Sequence, residues 1–353
     1  MRVGFFGAYD PGYPRNRILR DGLVRVGHEV IEVRVRERRA FRRYPALAAA
    51  FGRGGMSAEV LLVPEFRHKD VPLARLLAGR RPVVFDPLVS RVDTLVEDWG
   101  LHGAGSAQAR WNAGIDRFSF ALSDRVLCDT WAHGRLFEEI GVPWAKLRRV
   151  PVGAEDEFFR VSKRAPAGEV RVVYLGGFLP LHGTLTLIEA IAMLERRAAL
   201  PAWRAVLVGR GIEWERCRVR AAELGLTRAE FPGALAYAEA PALFAGADIV
   251  LGAFGAGAKA GRVVPHKVWQ GLAAARAVLT GDGEGVREWF TPGVHLDLSE
   301  RGNAAAIADA MERLISDPDR RAALATAGRA RACEVATPER IGETLARVLE
   351  ELA

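Results

Sequence analysis

Two cations flank a proline at the start of an apolar segment in the stretch GRVVPHKVWQGLAAARAVLTG, residues 261–281. Arg262 precedes Pro265, and Lys267 follows it where an amphipathic helical pattern begins. The first turn of a helix has unpaired N–H groups and the positive end of the helix dipole. Two cations at such a place indicate an anionic ligand, so we expect Arg262 and Lys267 to hold a phosphate group, with Pro265 beside it.

Glycine-bearing loops follow two other apolar segments in the same half of the chain. VVYLGGFLPLHG, residues 172–183, and WRAVLVGRG, residues 203–211, each end a predicted strand in such a loop. Glycine lets the backbone approach a phosphate closely. We predict that the two loops complete a diphosphate site, through Gly176, Gly177, His182, Gly209, Arg210 and Gly211.

Polar residues also follow apolar strands in the first half of the chain. GAYDPGYPRNR, residues 7–17, follows the first strand, and PVVFD leads into PLVSR over residues 82–91. A carboxylate at a strand's carboxyl end is placed where a substrate hydroxyl would lie, so we expect Asp86 to act in catalysis. Asp129, at the end of LCDT, is equally suited to cap the next helix or to contact a ligand. The remaining residues predicted to bind this polar substrate are Asp10, Gly12, Arg15, Asn16, Ser90 and Arg91.

Short apolar strands alternate with helical segments in both halves of the chain. These elements form the scaffold that must position the loops. This rhythm predicts parallel, helix-covered sheets. The charged, aperiodic segment FFRVSKRAPAGEVR, residues 158–171, interrupts it and is interpreted as a linker. We therefore predict an α/β protein of two Rossmann-like, doubly wound domains, 1–160 and 168–335, with the last helix, about 337–353, packing back on the first domain. Ligands would bind at the carboxyl ends of the strands, in a cleft between the domains.

The composition of the chain favours a globular protein with anionic partners and argues against a membrane-spanning or secreted protein. The chain has 353 residues, half of them apolar, and a net charge of +7, which favours anionic partners. No apolar run is long enough to span a membrane, and the N-terminus is predicted to be a strand and not a signal peptide. Cys128, Cys217 and Cys333 form no metal or disulfide pattern, so we expect buried filler cysteines in a cytoplasmic protein. The loop over residues 7–17 lacks the GxGxxG spacing of a dinucleotide site, and no DxD or His/Asp cluster stands at the predicted donor site, so no cofactor and no metal are expected.

The segment RVRERRAFRRYPALAAAF, residues 34–51, is rich in arginine and contains Phe41, Tyr44, Leu47 and Phe51. Adsorption to an anionic membrane and a plainly solvated arginine face both account for it. Its aromatic residues do not alternate with the cations as in a base-stacking surface, so no nucleic-acid partner is predicted.

The order of longer motifs is characteristic of one family. It runs through SDRVLCDTWAHGRLFEEIGVPWAKLRRVPVGAEDEFF, VVYLGGFLPLHGTLTLIEAI, LVGRG, FAGADIVLGAF, HKVWQGLAAARAVLTGD and GVREWFTPGVHLDL. Over nearly its whole length the chain resembles the retaining glycosyltransferases of the GT-B fold, family 4. The resemblance implies a hexosyltransferase that takes a sugar from a nucleotide-diphosphate sugar without a metal. It also implies a sugar or lipid-linked acceptor on the first domain, in cell-surface polysaccharide or glycolipid synthesis at the inner face of the membrane.

The chain departs from that family at its acidic positions. The two glutamates usual in the family fall at Arg262 and Gln270 in this sequence. Gln270 can still bond ribose hydroxyls, and we expect Arg262 and Lys267 to act in catalysis by neutralising the leaving diphosphate. Phe178 and His182 stand in the neighbourhood of the family's usual Arg/Lys pair. Two other functions therefore stay open: a sugar-nucleotide-binding protein without catalysis, and a GT-B sugar-nucleotide epimerase.

Overall fold

The computed structural model describes residues 1–37, 39–162 and 168–352. The chain divides into two compact units, Met1–Gly153 with Thr337–Ala353, and Ala154–Ala336. We call them the N-terminal and the C-terminal unit. Each contains a six-stranded parallel sheet with flanking helices, so the predicted α/β fold class is confirmed. Arg38 of the basic segment and residues 163–167 of the predicted linker lie outside the described residues.

The sheet of the N-terminal unit has the strand order β2-β1-β3-β4-β5-β6, and all its pairings are parallel. The four central strands are largely apolar because both faces of the sheet are covered. The strands are β1 (Arg2–Gly7), β2 (Glu29–Arg34), β3 (Val60–Val63), β4 (Val83–Phe85), β5 (Arg125–Cys128) and β6 (Leu147–Arg149). The helices between them are α1 (Pro14–Arg25), α2 (Ala40–Arg53), α3 (Val71–Ala78), α4 (Ala107–Ala121) and α5 (Trp131–Ile140).

The strand order reverses beside β1. The chain passes from β1 to β2 on one side and then crosses to β3 on the other. The loops after β1 and β3 therefore leave the sheet in opposite directions and open a crevice at their carboxyl ends, where α/β sheets bind ligands. Side chains that follow these two strands therefore lie at the edge of the crevice of this unit.

The sheet of the C-terminal unit has the strand order β12-β11-β10-β7-β8-β9, again all parallel. Its strands are β7 (Val170–Leu175), β8 (Trp203–Val208), β9 (Ala229–Gly233), β10 (Ile249–Leu251), β11 (Ala277–Gly281) and β12 (Asp297–Ser299). Its helices are α6 (Asp156–Phe159), α7 (Thr184–Glu195), α8 (Trp214–Glu223), α9 (Ala240–Ala245), α10 (Ala258–Arg262), α11 (His266–Ala273), α12 (Glu284–Trp289), α13 (Ala304–Ser316) and α14 (Pro318–Val335). The order reverses between β7 and β10, which puts the equivalent crevice there.

The C-terminal helix α15 (Pro338–Glu350) belongs to the N-terminal unit and packs on α1. Gly22 and Gly342 lie at the crossing, where a Cβ on either residue would run into the backbone of the other helix. The apolar face of α15, including Ile341 and Leu345, shares a core with β1 and α1. The cysteines are all free; Cys128 and Cys217 are buried as expected, whereas Cys333 is exposed, so that expectation is wrong for Cys333.

Candidate functional site

Lys267 is buried at the crevice of the C-terminal unit. It follows the N-cap of α11, Pro265, and is 5% exposed. Its Nζ lies 4.1 Å from the centroid of the Tyr174 ring, at the end of β7, and has no hydrogen-bond acceptor among the described residues. Burial holds the pKa of this amine well below its usual value. An unpaired buried cation is costly, so the geometry favours an anionic partner for Lys267.

His182 brings a second polar group to the same place. Its Nδ1 lies 2.8 Å from the Tyr174 hydroxyl and 3.4 Å from the N–H of Leu179. The pKa of His182 lies well below its usual value because the ring is buried and because Lys267 and Lys259 act on it. The imidazole is therefore neutral. With Nδ1 accepting, Nε2 carries the proton, and it has no partner among the described residues.

Lys259 was not singled out in the sequence. It lies on α10 after β10, is buried, and is close enough to His182 to lower the pKa of the ring. The only available signal was a lysine in the glycine-rich segment GAGAKAGR at a strand's carboxyl end. Two buried lysines and a neutral histidine thus converge at the reversal point of the sheet.

The glycines of this site mainly let loops pack on one another. Gly176 N–H donates to Val208 O (3.0 Å) and Gly209 N–H to Gly233 O (2.8 Å), so these two amides are not available to a phosphate, contrary to expectation. A Cβ on Gly209 or Gly211 would collide with the backbone at Gly176 and Gly177, and Gly209 also has φ +133°. The loops after β7 and β8 need glycine there because their backbones touch.

Three arginines of the C-terminal unit lie on the segments around this site. Arg262, the last residue of α10, is half-buried, and Arg210 is exposed with its guanidinium carbon 5.7 Å from the centroid of the Trp214 ring. Arg301, which the sequence did not reveal, donates to Asp282 O (2.6 Å) and Gly257 O (2.6 Å). It ties together the loops after β11 and β10 and so positions the segment that carries Lys259.

Phe178 packs in the core against Trp214 and Tyr174.

Gln270 lies one turn beyond Lys267 on α11 and is held by two neighbours. Its Nε2 donates to Glu155 Oε2 (3.0 Å) and to the Tyr237 hydroxyl (2.5 Å), and Tyr237 donates to Glu155 Oε1 (2.5 Å). The expected ribose contact therefore cannot come from Nε2, whereas Gln270 Oε1 has no partner among the described residues. Glu155 was overlooked, although it stands in the quoted passage VPVGAEDEFF.

In the N-terminal unit, Asp86 has a different role from the expected one. Arg15 donates to both of its carboxylate oxygens, at 2.8 and 3.2 Å, and each residue is 1% exposed. Arg15 also donates to Pro151 O (2.5 Å) and Val150 O (3.3 Å). Because its partners are all internal, the pair ties the loops after β4 and β6 to α1 and is not directed at a substrate. The prediction of a catalytic Asp86 and an acceptor-binding Arg15 is corrected accordingly.

Ser90 and Arg91 are likewise engaged internally. Ser90 is fully buried and donates to Asp116 Oδ2 (2.8 Å), while Arg91 donates from its backbone to Asp116 Oδ1 (3.0 Å) and from Nε to Asn112 Oδ1 (3.0 Å). Both residues anchor the loop after β4 to α4, which corrects their assignment to acceptor binding. Asp129 lies 2.8 Å from His133 Nδ1, and Thr130 is the residue that caps α5.

Asp10 and Gly12 are exposed in the loop after β1, and Asp10 Oδ1 accepts from Gly12 N–H (2.9 Å). Asn16 is buried and donates to Asp10 O (2.7 Å) and to Glu65 Oε2 (2.5 Å). Glu65 follows β3, so this group lies at the reversal point of the N-terminal sheet. The sequence analysis missed Glu65, although it ends the apolar segment EVLLVPE, residues 59–65.

The basic helix α2 uses its apolar face internally. Leu47 and Phe51 are core residues, and Arg43 lies 2.9 Å from Asp70 in a buried ion pair. Phe41 is 68% exposed and Arg42 is exposed beside it. The surface available for a membrane is therefore smaller than the sequence suggested. None of the described helices is both long and apolar enough to cross a bilayer.

Solved structures of other proteins share this architecture over the full chain. Anabaena HepE in complex with UDP and glucose superposes with a TM-score of 0.75 at 17% identity, covering 100% of both chains. Sucrose-phosphate synthase from Thermosynechococcus elongatus gives 0.74 at 15% identity, covering 100% of this chain and 99% of that one. A glycosyltransferase from Rickettsia africae gives 0.71 at 12% identity, covering 99% and 98%. The chain has the GT-B fold.

Sequence similarity is concentrated in the C-terminal part of this GT-B chain. Residues 188–347 match the family model described as glycosyl transferase-like. The matched segment contains α10 and α11 and therefore Lys259, Lys267 and Gln270. No curated protein matches the chain significantly in sequence. Among the described residues, no three His, Cys, Asp or Glu side chains come close enough to hold a metal ion.

Proposed function

We propose that this GT-B protein is a glycosyltransferase whose C-terminal unit binds the diphosphate of a nucleotide-sugar donor at Lys267. The observation that carries the proposal is the buried Lys267 Nζ, which has no acceptor among the described residues at the reversal point of the sheet. Lys259 adds a second cation, and the start of α11 adds its dipole. The glycosyl transferase-like match over residues 188–347 supports the glycosyltransferase part of the proposal.

The arrangement suits the chemistry of glycosyl transfer. The bond between the sugar carbon and the diphosphate oxygen breaks while the acceptor oxygen bonds to the same carbon. Negative charge grows on the departing diphosphate, and fixed cations in a site with little water stabilise it. Lys267 supplies such a cation, and His182 Nε2–H is a neutral donor close by. Transfer with retention and without a metal, as in family 4, is part of this proposal.

The nucleoside is assigned to the neighbourhood of Gln270. Its free Oε1 can accept from a ribose hydroxyl, while Glu155 and Tyr237 fix the orientation of the amide. A uridine diphosphate sugar is the donor to test first, because HepE, which shares the fold, has been crystallised with UDP-glucose. We assign Arg262 to the same anionic ligand as Lys267.

The acceptor is proposed to be a sugar or a lipid-linked sugar, in cell-surface polysaccharide or glycolipid synthesis. A cytoplasmic protein that visits an anionic membrane through α2 fits this role, with Phe41 and Arg42 as its exposed contacts. Co-sedimentation with vesicles containing phosphatidylglycerol measures this. Binding that disappears in the Phe41→Ser variant supports the contact, and equal binding by that variant refutes it.

The deciding experiment combines donor binding with turnover. Thermal shift against uridine, guanosine and thymidine diphosphate sugars identifies the donor, and nucleotide release with and without acceptors follows the reaction. Release of the nucleotide together with a new glycoside supports the proposal. Stabilisation without release in any acceptor screen identifies a binding protein, and conversion of the donor sugar without an acceptor identifies an epimerase. Proton NMR of the product gives the anomeric configuration, and EDTA tests the metal.

A further inference from the structure

A second polar site lies at the reversal point of the N-terminal sheet, on the loops that follow β1 and β3. Arg67, in the loop after β3, donates to Ala8 O (2.9 Å) in the loop after β1, so the two loops are tied together. Asn16, at the start of α1, joins them through Asp10 O and Glu65 Oε2. The position is the one where α/β sheets bind ligands, and none of these contacts was assigned to the donor.

Two hydrogen-bond acceptors in this site are unused. Asn16 is 1% exposed, and both of its bonds are made by Nδ2 to oxygens, which fixes the orientation of the amide. Asn16 Oδ1 has no partner among the described residues. Glu65 is 7% exposed; Asn16 holds its Oε2, and no described group donates to its Oε1. A buried carboxylate and a buried amide oxygen without donors call for a ligand that supplies N–H or O–H groups.

The groups around Glu65 do not fully stabilise the charge of its carboxylate. Burial raises the pKa of Glu65 to about 7, the bond from Asn16 and the charge of Arg67 oppose the shift, and Asp86 and Asp10 add to it. Asp86 is neutralised by Arg15, so Asp10 and Arg67 are the remaining charges nearby. Four charged or titratable groups act on Glu65 from the loops after β1, β3 and β4: Tyr9, Asp10, Arg67 and Asp86.

We propose that Glu65 and Asn16 form a subsite for the hydroxyl groups of a sugar, with Glu65 Oε1 as the principal acceptor and Asn16 as the residue that orients it. This inference rests on the proposed function, in which a sugar acceptor must bind away from the donor's diphosphate. A carboxylate oxygen without a donor matches a sugar hydroxyl, and the bond from Asn16 to Oε2 fixes the orientation of the carboxylate. Arg67, 2.9 Å from Ala8 O, makes a cationic ligand the less suitable occupant.

Saturation-transfer NMR on the full-length protein tests the subsite without any donor present. The probes are methyl glucoside, methyl galactoside, methyl mannoside and methyl glucosaminide. We expect at least one neutral glycoside to bind the wild type, and Glu65→Gln to weaken that binding about tenfold, since a bond to a charged acceptor is replaced by a neutral one. Asn16→Ala should weaken it similarly. Glu97→Gln, an exposed carboxylate of the same unit, should leave it unchanged.

The pH dependence separates a direct contact from a structural effect. Glu65 accepts best when ionised, so glycoside affinity of the wild type should fall between pH 8 and pH 5.5, and the affinity of Glu65→Gln should not. Absence of glycoside binding by the wild type, equal binding by Glu65→Gln, or a preference for the amino sugar overturns the subsite. UDP affinity, measured on the same samples, reports on the donor site alone. Absence of UDP binding by the wild type would count against the proposed function and not against this subsite.

Discussion

Lys267 Nζ occupies the space that a side chain at position 176 would need. A Cβ on Gly176 would lie 2.5 Å from this nitrogen and 2.6 Å from the Tyr174 hydroxyl. The glycine in the loop after β7 therefore makes room for the cation of α11. The two residues are 91 positions apart in sequence (267 minus 176), and their relationship shapes the proposed diphosphate site more directly than the backbone N–H groups do.

Lys267→Met should make the free protein more stable and the enzyme much slower. The substitution removes a buried amine whose pKa is lowered by burial. The free energy of unfolding should therefore rise by about 1 to 3 kcal/mol, and by more at pH 6 than at pH 9, because the amine is more fully protonated at the lower pH. Loss of one charge-stabilising group should reduce turnover about a hundredfold or more, with a smaller effect on donor binding. Urea unfolding and nucleotide release measure the two effects.

Arg216→Met is the matched control for Lys267→Met, because Arg216 is a cation of the same unit with a side chain 73% exposed. It should change neither stability nor turnover appreciably. If Lys267→Met behaved like this control, the diphosphate assignment would be wrong.

Gly176→Ala should weaken UDP binding by displacing Lys267 Nζ from its position over the Tyr174 ring. The ammonium group ends a flexible side chain, so the protein should still fold. Isothermal titration with UDP measures the affinity. Gly114→Ala, where a Cβ meets nothing within 4 Å, is the control and should leave UDP binding intact. Wild-type affinity in Gly176→Ala would show that the ligand does not depend on where Lys267 lies.

Asp86→Ala should destabilise the protein by about 3 to 5 kcal/mol, because it leaves Arg15 buried without its carboxylate. Reduced activity of this variant would then follow from unfolding. Chemical denaturation checks the loss, and Glu97→Ala, an exposed carboxylate in the same unit, should stay within about 0.5 kcal/mol of the wild type. A fully stable Asp86→Ala with impaired turnover would restore the catalytic interpretation.

Glu65→Gln should stabilise the protein at pH 8 and have little effect near pH 5. The pKa of Glu65 is raised from 4.5 to about 7 in the folded state, so ionisation of the carboxyl opposes folding progressively as the pH rises through 7. The full difference corresponds to about 3 kcal/mol at most. Denaturation at both pH values measures it. A destabilised Glu65→Gln at pH 8 would mean that the carboxylate is needed by the fold.

The alternation of apolar strands and helices was sufficient to predict both sheets. β3 and β11 are buried along their whole length, and such runs are typical of strands covered on both faces. Lys267 could be singled out because a cation and a proline at a helix start form a local pattern. The strand-end rule correctly located Asp10 in the loop after β1 and Asn16 in the first turn of α1, both at the carboxyl edge of the sheet.

Long-range pairing explains what the sequence could not provide. Asp86 and Arg15 are 71 residues apart, and nothing local shows that one neutralises the other. Glu155 reaches Gln270 across 115 residues. Each of these side chains has a plausible function alone, and only the folded chain shows which of them are already satisfied and which, like Glu65, are not.

The return of α15 to α1 imposes an order on biosynthesis. The N-terminal unit cannot be completed when its first 153 residues leave the ribosome, because the helix that covers α1 is translated only after the whole C-terminal unit. The C-terminal unit, which is continuous in sequence, can fold first. Until α15 has been translated, Ile18, Leu19 and Leu23 of α1 lack the apolar partners that this helix provides. A stop codon just before Thr337 would therefore remove no residue of either site and still leave a chain prone to aggregation.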